Sequence, residues 1–136
     1  MAESYTEAAL RHWTDGLLLE RERRLSNADH LFGFAAECAI KVALTQVPGC
    51  QVGGRLHRRY LEHVDKLWSL LPLQGIQARF PGLVAVLKAG TPFDDWEIDQ
   101  RYAADDEISE EAAARHRNAA KRLLGALGLS GVRKGT

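Results

Sequence analysis

The stretch SNADHLFGFAAECAIKVAL, residues 26–44, decides the fold. Leu31, Phe34 and Cys38 fall on one line of a helical wheel, and Phe32, Ala36 and Ile40 on another. A helix apolar most of the way round is the central element of a bundle, wrapped by its neighbours. Glu37 and Lys41, spaced i and i+4, interrupt that apolar surface, and His30 stands two turns earlier on nearly the same line. Charges on a mostly buried helix must be paired or must line a cleft. The first expectation is therefore a polar groove containing His30, Glu37 and Lys41.

Working outward, Ser4 with Glu7 three residues on makes a capping-box pattern, opening a helix to about Arg24 through Leu10, Trp13 and Leu17. Ser26 with Asp29 marks the start of the central helix, and Pro48-Gly49 ends it. Residues 51–59 read as a loop. A shorter helix is expected over 60–71, carrying Leu61, Val64, Leu67 and Trp68, and another follows Pro81 and ends near Gly90. Residues 91–108 read as irregular and Asp-rich, with Phe93, Trp96 and Tyr102. Ser109, followed by Glu110 and Glu111, caps a last helix that runs to Leu127 and stops at Gly128. The tail 129–136 is expected to fray. No strand hairpin is expected. The prediction is an all-α single domain, an up-and-down antiparallel bundle of four to five helices with its core at about 4–128.

With 136 residues the chain is long enough to bury roughly two-thirds of its unfolded surface. Eighteen basic and eighteen acidic residues cancel, so no global field draws it to nucleic acid or membrane. The cancellation hides an asymmetry. Residues 94–111 hold nine acids and one base, Arg101, whereas residues 115–136 hold six bases and no acid. Arg101 is expected to be paired among those acids or to face the groove with Tyr102. Two cysteines, Cys38 and Cys50, suggest no disulfide framework. The N-terminus, MAESYTEAAL, lacks the pattern of an export signal, so a cytoplasmic location without membrane association is expected.

Taken together, FxxExAIK at Phe34, Glu37 and Lys41, HVDKLWSLL from His63, the Arg101-Tyr102 pair and Ser109-Glu110-Glu111-Ala112 resemble the HEPN family (higher eukaryotes and prokaryotes nucleotide-binding). The likeness is to the branch with a Glu-x-x-x-Lys and an Arg-Tyr pattern, and it covers residues 5–127. The resemblance implies a dimerising helical bundle without a cofactor. It implies binding of a nucleotide, RNA or a nucleotidyltransferase-type partner in a groove formed by His30, Glu37, Lys41, Arg101 and Tyr102, without strong catalysis. A metal-independent endoribonuclease of toxin or antiviral type is the alternative, and a structural interaction module a further one.

Nuclease members of the family carry Arg and His four to six residues apart, and no His follows Arg101 at that spacing. Arg58 and His63 do have the spacing and are the candidate catalytic pair. Histidine has a pKa suited to activating an RNA 2′-hydroxyl, and arginine offers a fork for charge developing on phosphate. Residues 53–59, GGRLHRR, join flexible backbone to positive charge, as phosphate-binding loops do. No metal site is expected; the acids near Ser109 are better explained as complements to a helix dipole.

Overall fold

The computed structural model describes residues 4–129; residues 1–3 and 130–136, with nearly all of the expected frayed tail, lie outside the described residues. The protein is mostly helical. Three long helices, α1 (Tyr5–Arg21), α2 (Leu25–Leu44) and α6 (Glu110–Ala126), carry the core. Between α2 and α6 come a two-stranded hairpin, β1 (Gln51–Val52) and β2 (Arg55–Leu56), and three short helices, α3 (Val64–Leu67), α4 (Leu73–Arg79) and α5 (Pro81–Lys88).

The central role of α2 follows from its composition. Fourteen of its residues are buried, among them five alanines, Ala28, Ala35, Ala36, Ala39 and Ala43. Small side chains let neighbouring helices approach closely. α1 packs along one side of α2 and α6 along another. Trp13 meets Phe32, His12 meets Phe34, and Tyr5 lies by Lys41, so α1 and α2 run antiparallel. Gly16 makes room for Phe32, whose ring would lie 2.8 Å from an added Cβ. The start of α6 sits beside the start of α2, through Asp29 and His116, and α6 pairs with the end of α1 through Glu20 and Arg117. α6 therefore runs in the direction of α2, and residues 45–109 make the return.

Two of the three predicted helix starts are capped as expected: the Ser4 hydroxyl accepts from the Glu7 amide and Ser109 from Ala112. Gly128, at φ 63°, ends α6. Other boundaries moved. α1 stops at Arg21 rather than Arg24, because Arg23 turns into the left-handed region at φ 63° and reverses the chain. Ser26 does not cap α2; its hydroxyl donates to the Asp105 carbonyl, and Asp29 is drawn fully inside. The helix expected over 60–71 starts only at Val64, because Tyr60 turns inward on a single 3₁₀ turn (Arg58–Tyr60). α4 was not foreseen; its buried anchor is a lone isoleucine, Ile76.

A hairpin occurs where none was expected. Gly53 and Gly54, at φ 61° and 80°, form its two-residue tip, which suits the twist of paired strands. With two residues per strand the hydrophobic alternation was too short to read. Among the described residues no helix is long and apolar enough to cross a membrane.

Candidate functional site

Glu37 lies in the middle of α2 with its carboxylate 9% exposed, and both oxygens are used. Oε2 accepts from Lys41 Nζ at 3.0 Å, one helical turn on, and Oε1 meets His63 Nδ1 at 3.0 Å. The paired carboxylate only accepts, so Nδ1 carries the proton and donates. That fixes the imidazole tautomer and leaves Nε2 as the second functional nitrogen.

His63 reaches Glu37 because it is the residue before α3. Its backbone is extended (φ −77°, ψ 165°), and its carbonyl accepts from the Lys66 and Leu67 amides. Val64 and Leu67, both buried, clamp the short helix against the core. The backbone is thus fixed by α3 while the ring swings toward α2. At 45% exposure the imidazole keeps one side in solvent.

The opposite wall is aromatic. Phe34, one turn before Cys38, has His12, His30, His63 and Trp96 around it, with ring centroids 4.8 to 6.0 Å away. His30 stacks on Trp96 at 5.2 Å, and its Nε2 is buried with no hydrogen-bond partner among the described residues. Burial holds the His30 pKa below 6.5; the Ile98 carbonyl and Asp29 oppose this, while Arg101 and His63 add to it. Burial and then Arg11 also lower His12, against Asp15 and Glu37. Lys41 is covered by the Tyr5 ring, 6.0 Å from its Nζ.

Trp96 reaches this wall because α2 has a glycine beneath it. A Cβ on Gly33 would lie 2.2 Å from the indole. The indole N–H donates to the Asp29 carbonyl at 3.2 Å, and Gln100 donates to Asp29 Oδ2 at 2.8 Å. His116 on α6 completes the fastening. Its Nδ1 meets Asp29 Oδ1, its Nε2 meets Asp95 Oδ1 at 2.7 Å, and Phe93 stacks on its ring. Burial alone would lower the His116 pKa, but hydrogen bonds and charge from Asp29, then Asp95, outweigh it and raise the value. This second polar network tethers the segment carrying Arg101 and Tyr102.

The structure therefore brings Glu37, Lys41 and His63 together, with His30 beside them. Arg101 is near enough to act on His30 electrostatically, but among the described residues it forms no ion pair with the surrounding acids. Its guanidinium lies 4.8 Å from the Tyr102 ring, and Tyr102 is 75% exposed. Among the described residues no hydrogen bond, ion pair or ring contact joins either residue to Glu37 or Lys41. Arg58 is exposed on the turn before α3, and its side chain makes no hydrogen bond or ion pair among the described residues. No hydrogen bond or ion pair joins it to His63 among the described residues.

Sequence reasoning placed His63 with Arg58 and missed its partnership with Glu37. The signal was the second oxygen of a buried carboxylate, which Lys41 alone leaves unmatched. It missed His12 and Tyr5 on α1, and gave Asp29 a capping role. Among the described residues no group of three or more His, Cys, Asp or Glu is arranged to hold a metal ion. Set against known protein families, curated proteins and solved structures, this chain matches none of them.

Proposed function

We propose that this chain is a HEPN-like helical module that acts as a homodimer and binds a nucleotide or RNA in the groove beside His63, without strong catalysis of its own. The observation supporting this most directly is the joining of Glu37, Lys41 and His63, with the Phe34 ring against the half-exposed imidazole. The Glu37–Lys41 pair is the fixed floor and orients His63. His63 and Arg101 offer cationic or donor groups to phosphate, and the exposed ring of Tyr102 offers a face to a base. A nucleotidyltransferase-type protein carrying a bound nucleotide is the partner class that fits the same groove.

The experiment is calorimetric titration of the full chain with nucleoside monophosphates and a short RNA. His63→Ala and Arg101→Ala are expected to weaken binding about tenfold each, the loss of one charge-assisted contact, with the fold unchanged. Affinities equal to wild type in both variants remove the groove. Sedimentation of the same protein is expected to give a dimer at tens of micromolar, and a monomer there removes that part of the reading.

A metal-independent ribonuclease is the second reading, and the Glu37–His63 hydrogen bond favours it. With Nδ1 committed to Glu37, Nε2 is free to take the proton of a 2′-hydroxyl. The 2′-oxygen then bonds to phosphorus, the bond to the 5′-oxygen breaks, and that oxygen takes a proton from solvent. Cleavage of mixed RNA in EDTA, lost in His63→Ala and reduced in Glu37→Gln, supports this reading; no cleavage by folded protein removes it. Loss on Arg58→Ala would add Arg58 to the site as the phosphate cation.

A further inference from the structure

The hairpin and the turn after it form a pole rich in positive charge. Arg55, Arg58 and Arg59 are all exposed, none forms an ion pair among the described residues, and residues 51–61 contain no acid. The backbone that presents them is firmly held. Leu56 and Tyr60 are buried, Cys50 is buried at the hairpin base, and the His57 amide donates to the Cys50 carbonyl at 2.7 Å. Gln51 donates its side-chain amide to the Leu44 and Val47 carbonyls, locking the hairpin onto the end of α2. The tip beyond is open, since a Cβ on Gly53 or Gly54 would meet nothing within 4 Å. Arg79 adds a fourth cation at this end of the molecule through Gln46.

Glu62, exposed directly after Leu61, is the nearest acid along the chain, and the acid-rich run of the sequence lies elsewhere. Ser26 binds the Asp105 carbonyl at the start of α2, so the acidic run at 105–107 is anchored at the opposite end of that helix. From residue 26 to residue 44 a helix rises about 27 Å, several Debye lengths at physiological salt. The basic pole is therefore remote from that acidic run. Beside the arginines, Val52 is 64% and Leu61 53% exposed, giving apolar contact surface to the same face. His63 follows this turn directly in the chain, at the mouth of the groove.

We propose that Arg55, Arg58 and Arg59 form a docking surface for the phosphodiester backbone of a single-stranded nucleic acid that extends beyond the nucleotide held at His63. Arginine forks suit phosphate oxygens, and a flat pole with exposed Val52 and Leu61 suits unstacked bases rather than a regular duplex groove. The inference rests on the groove reading for its register, but it adds a second contact region with its own signature. Phosphate contacts release counterions, so binding through this pole depends steeply on salt, whereas binding of a mononucleotide in the groove does not.

The test measures binding of the full chain to labelled oligo(U) and oligo(dT) of about a dozen nucleotides between roughly 50 and 200 mM salt, with UMP titrated in parallel. The Arg55→Ala/Arg58→Ala/Arg59→Ala variant is expected to lose at least tenfold in oligonucleotide affinity and to flatten the log–log salt slope by about 2, and the Arg55→Ala/Arg59→Ala variant, which spares Arg58, to show part of that loss while UMP binding stays unchanged. The corresponding triple lysine variant keeps the slope. Oligo(U) bound more tightly than oligo(dT) identifies the ligand as RNA, and equal binding identifies a general single-strand surface. Oligonucleotide binding that is identical in wild type and the triple alanine variant overturns the proposal, as does equal affinity for a polyglutamate peptide, which would make an acidic protein the partner. Arginine-dependent oligonucleotide binding without any UMP binding sinks the groove reading and leaves this one standing.

Discussion

His63 Nδ1 lies 3.0 Å from Glu37 Oε1, a contact across 26 residues that ties the short return helices to the central helix. It uses the carboxylate oxygen that Lys41 does not. The site therefore depends on a charge group that is also part of the core.

Removing Glu37 alone leaves Lys41 buried without its counter-charge. Glu37→Ala is expected to cost about 3–5 kcal/mol, whereas Glu37→Leu with Lys41→Met recovers most of the loss. Urea denaturation of both variants checks this. The double variant separates stability from function, because it is expected to stay folded while losing groove binding. Equal destabilisation by the single and double changes would show that the pair matters through shape and not charge.

Gly33→Ala pushes a methyl group into the Trp96 indole. Overpacking of this kind costs about 1–3 kcal/mol, and the near-ultraviolet circular dichroism of the tryptophans should change with it. Gly125→Ala is the matched control: nothing lies within 4 Å of its added Cβ, and alanine in a helix gains up to about 1 kcal/mol. Opposite signs for the two substitutions are the expected result. A neutral Gly33→Ala would mean that Trp96 moves without cost.

The raised pKa of His116 makes stability depend on pH in a definite direction. Its contribution is complete below the ordinary value of 6.5 and is lost as pH rises through the raised value. The stability difference between wild type and His116→Gln is therefore expected to shrink from mildly acidic to alkaline pH. His12 and His30, lowered by burial, act in the other direction, losing their contribution as pH falls through their lowered values. Denaturation curves of both proteins across this range test the sign, and a difference that grows with pH contradicts the bridge to Asp29 and Asp95.

Burial, with Glu37 second, pushes the Cys38 thiol up to about 11, and Cys50 is buried as well. Because the thiolate is the reactive form, Cys38 is not expected to react with a disulfide reagent near pH 8 until the protein unfolds, and Cys50 is shielded from the reagent by burial alone. Counting titratable thiols with and without denaturant gives the answer. Rapid labelling of native protein would place one of them at an open surface.

Much of the fold was legible from single residues. The apolar circumference of residues 26–44 fixed α2 as the centre, and Ser4 and Ser109 each cap the helix they were expected to start. Elements shorter than two turns were harder to read. The hairpin carries two residues per strand and α4 seven, too few for a period of 2.0 or 3.6 to repeat. Ser26 and Asp29 matched a helix-start pattern because that pattern is local, and both were claimed instead by partners on distant segments, Asp105 and His116.

By itself, the sequence determined that Glu37 and Lys41 share one face of a helix, since i,i+4 spacing is set by backbone geometry alone; that this face is buried was decided by packing. Only the tertiary structure decided which third group meets them. His12 and Tyr5 on α1, His63 before α3 and Trp96 arrive from three different segments, and the chain between α2 and α6 folds back through short helices that fix the approach of the last two. Local periodicity specifies the face of a helix; long-range packing, with glycine at position 33 and a clamped turn before α3, specifies what is pressed against it.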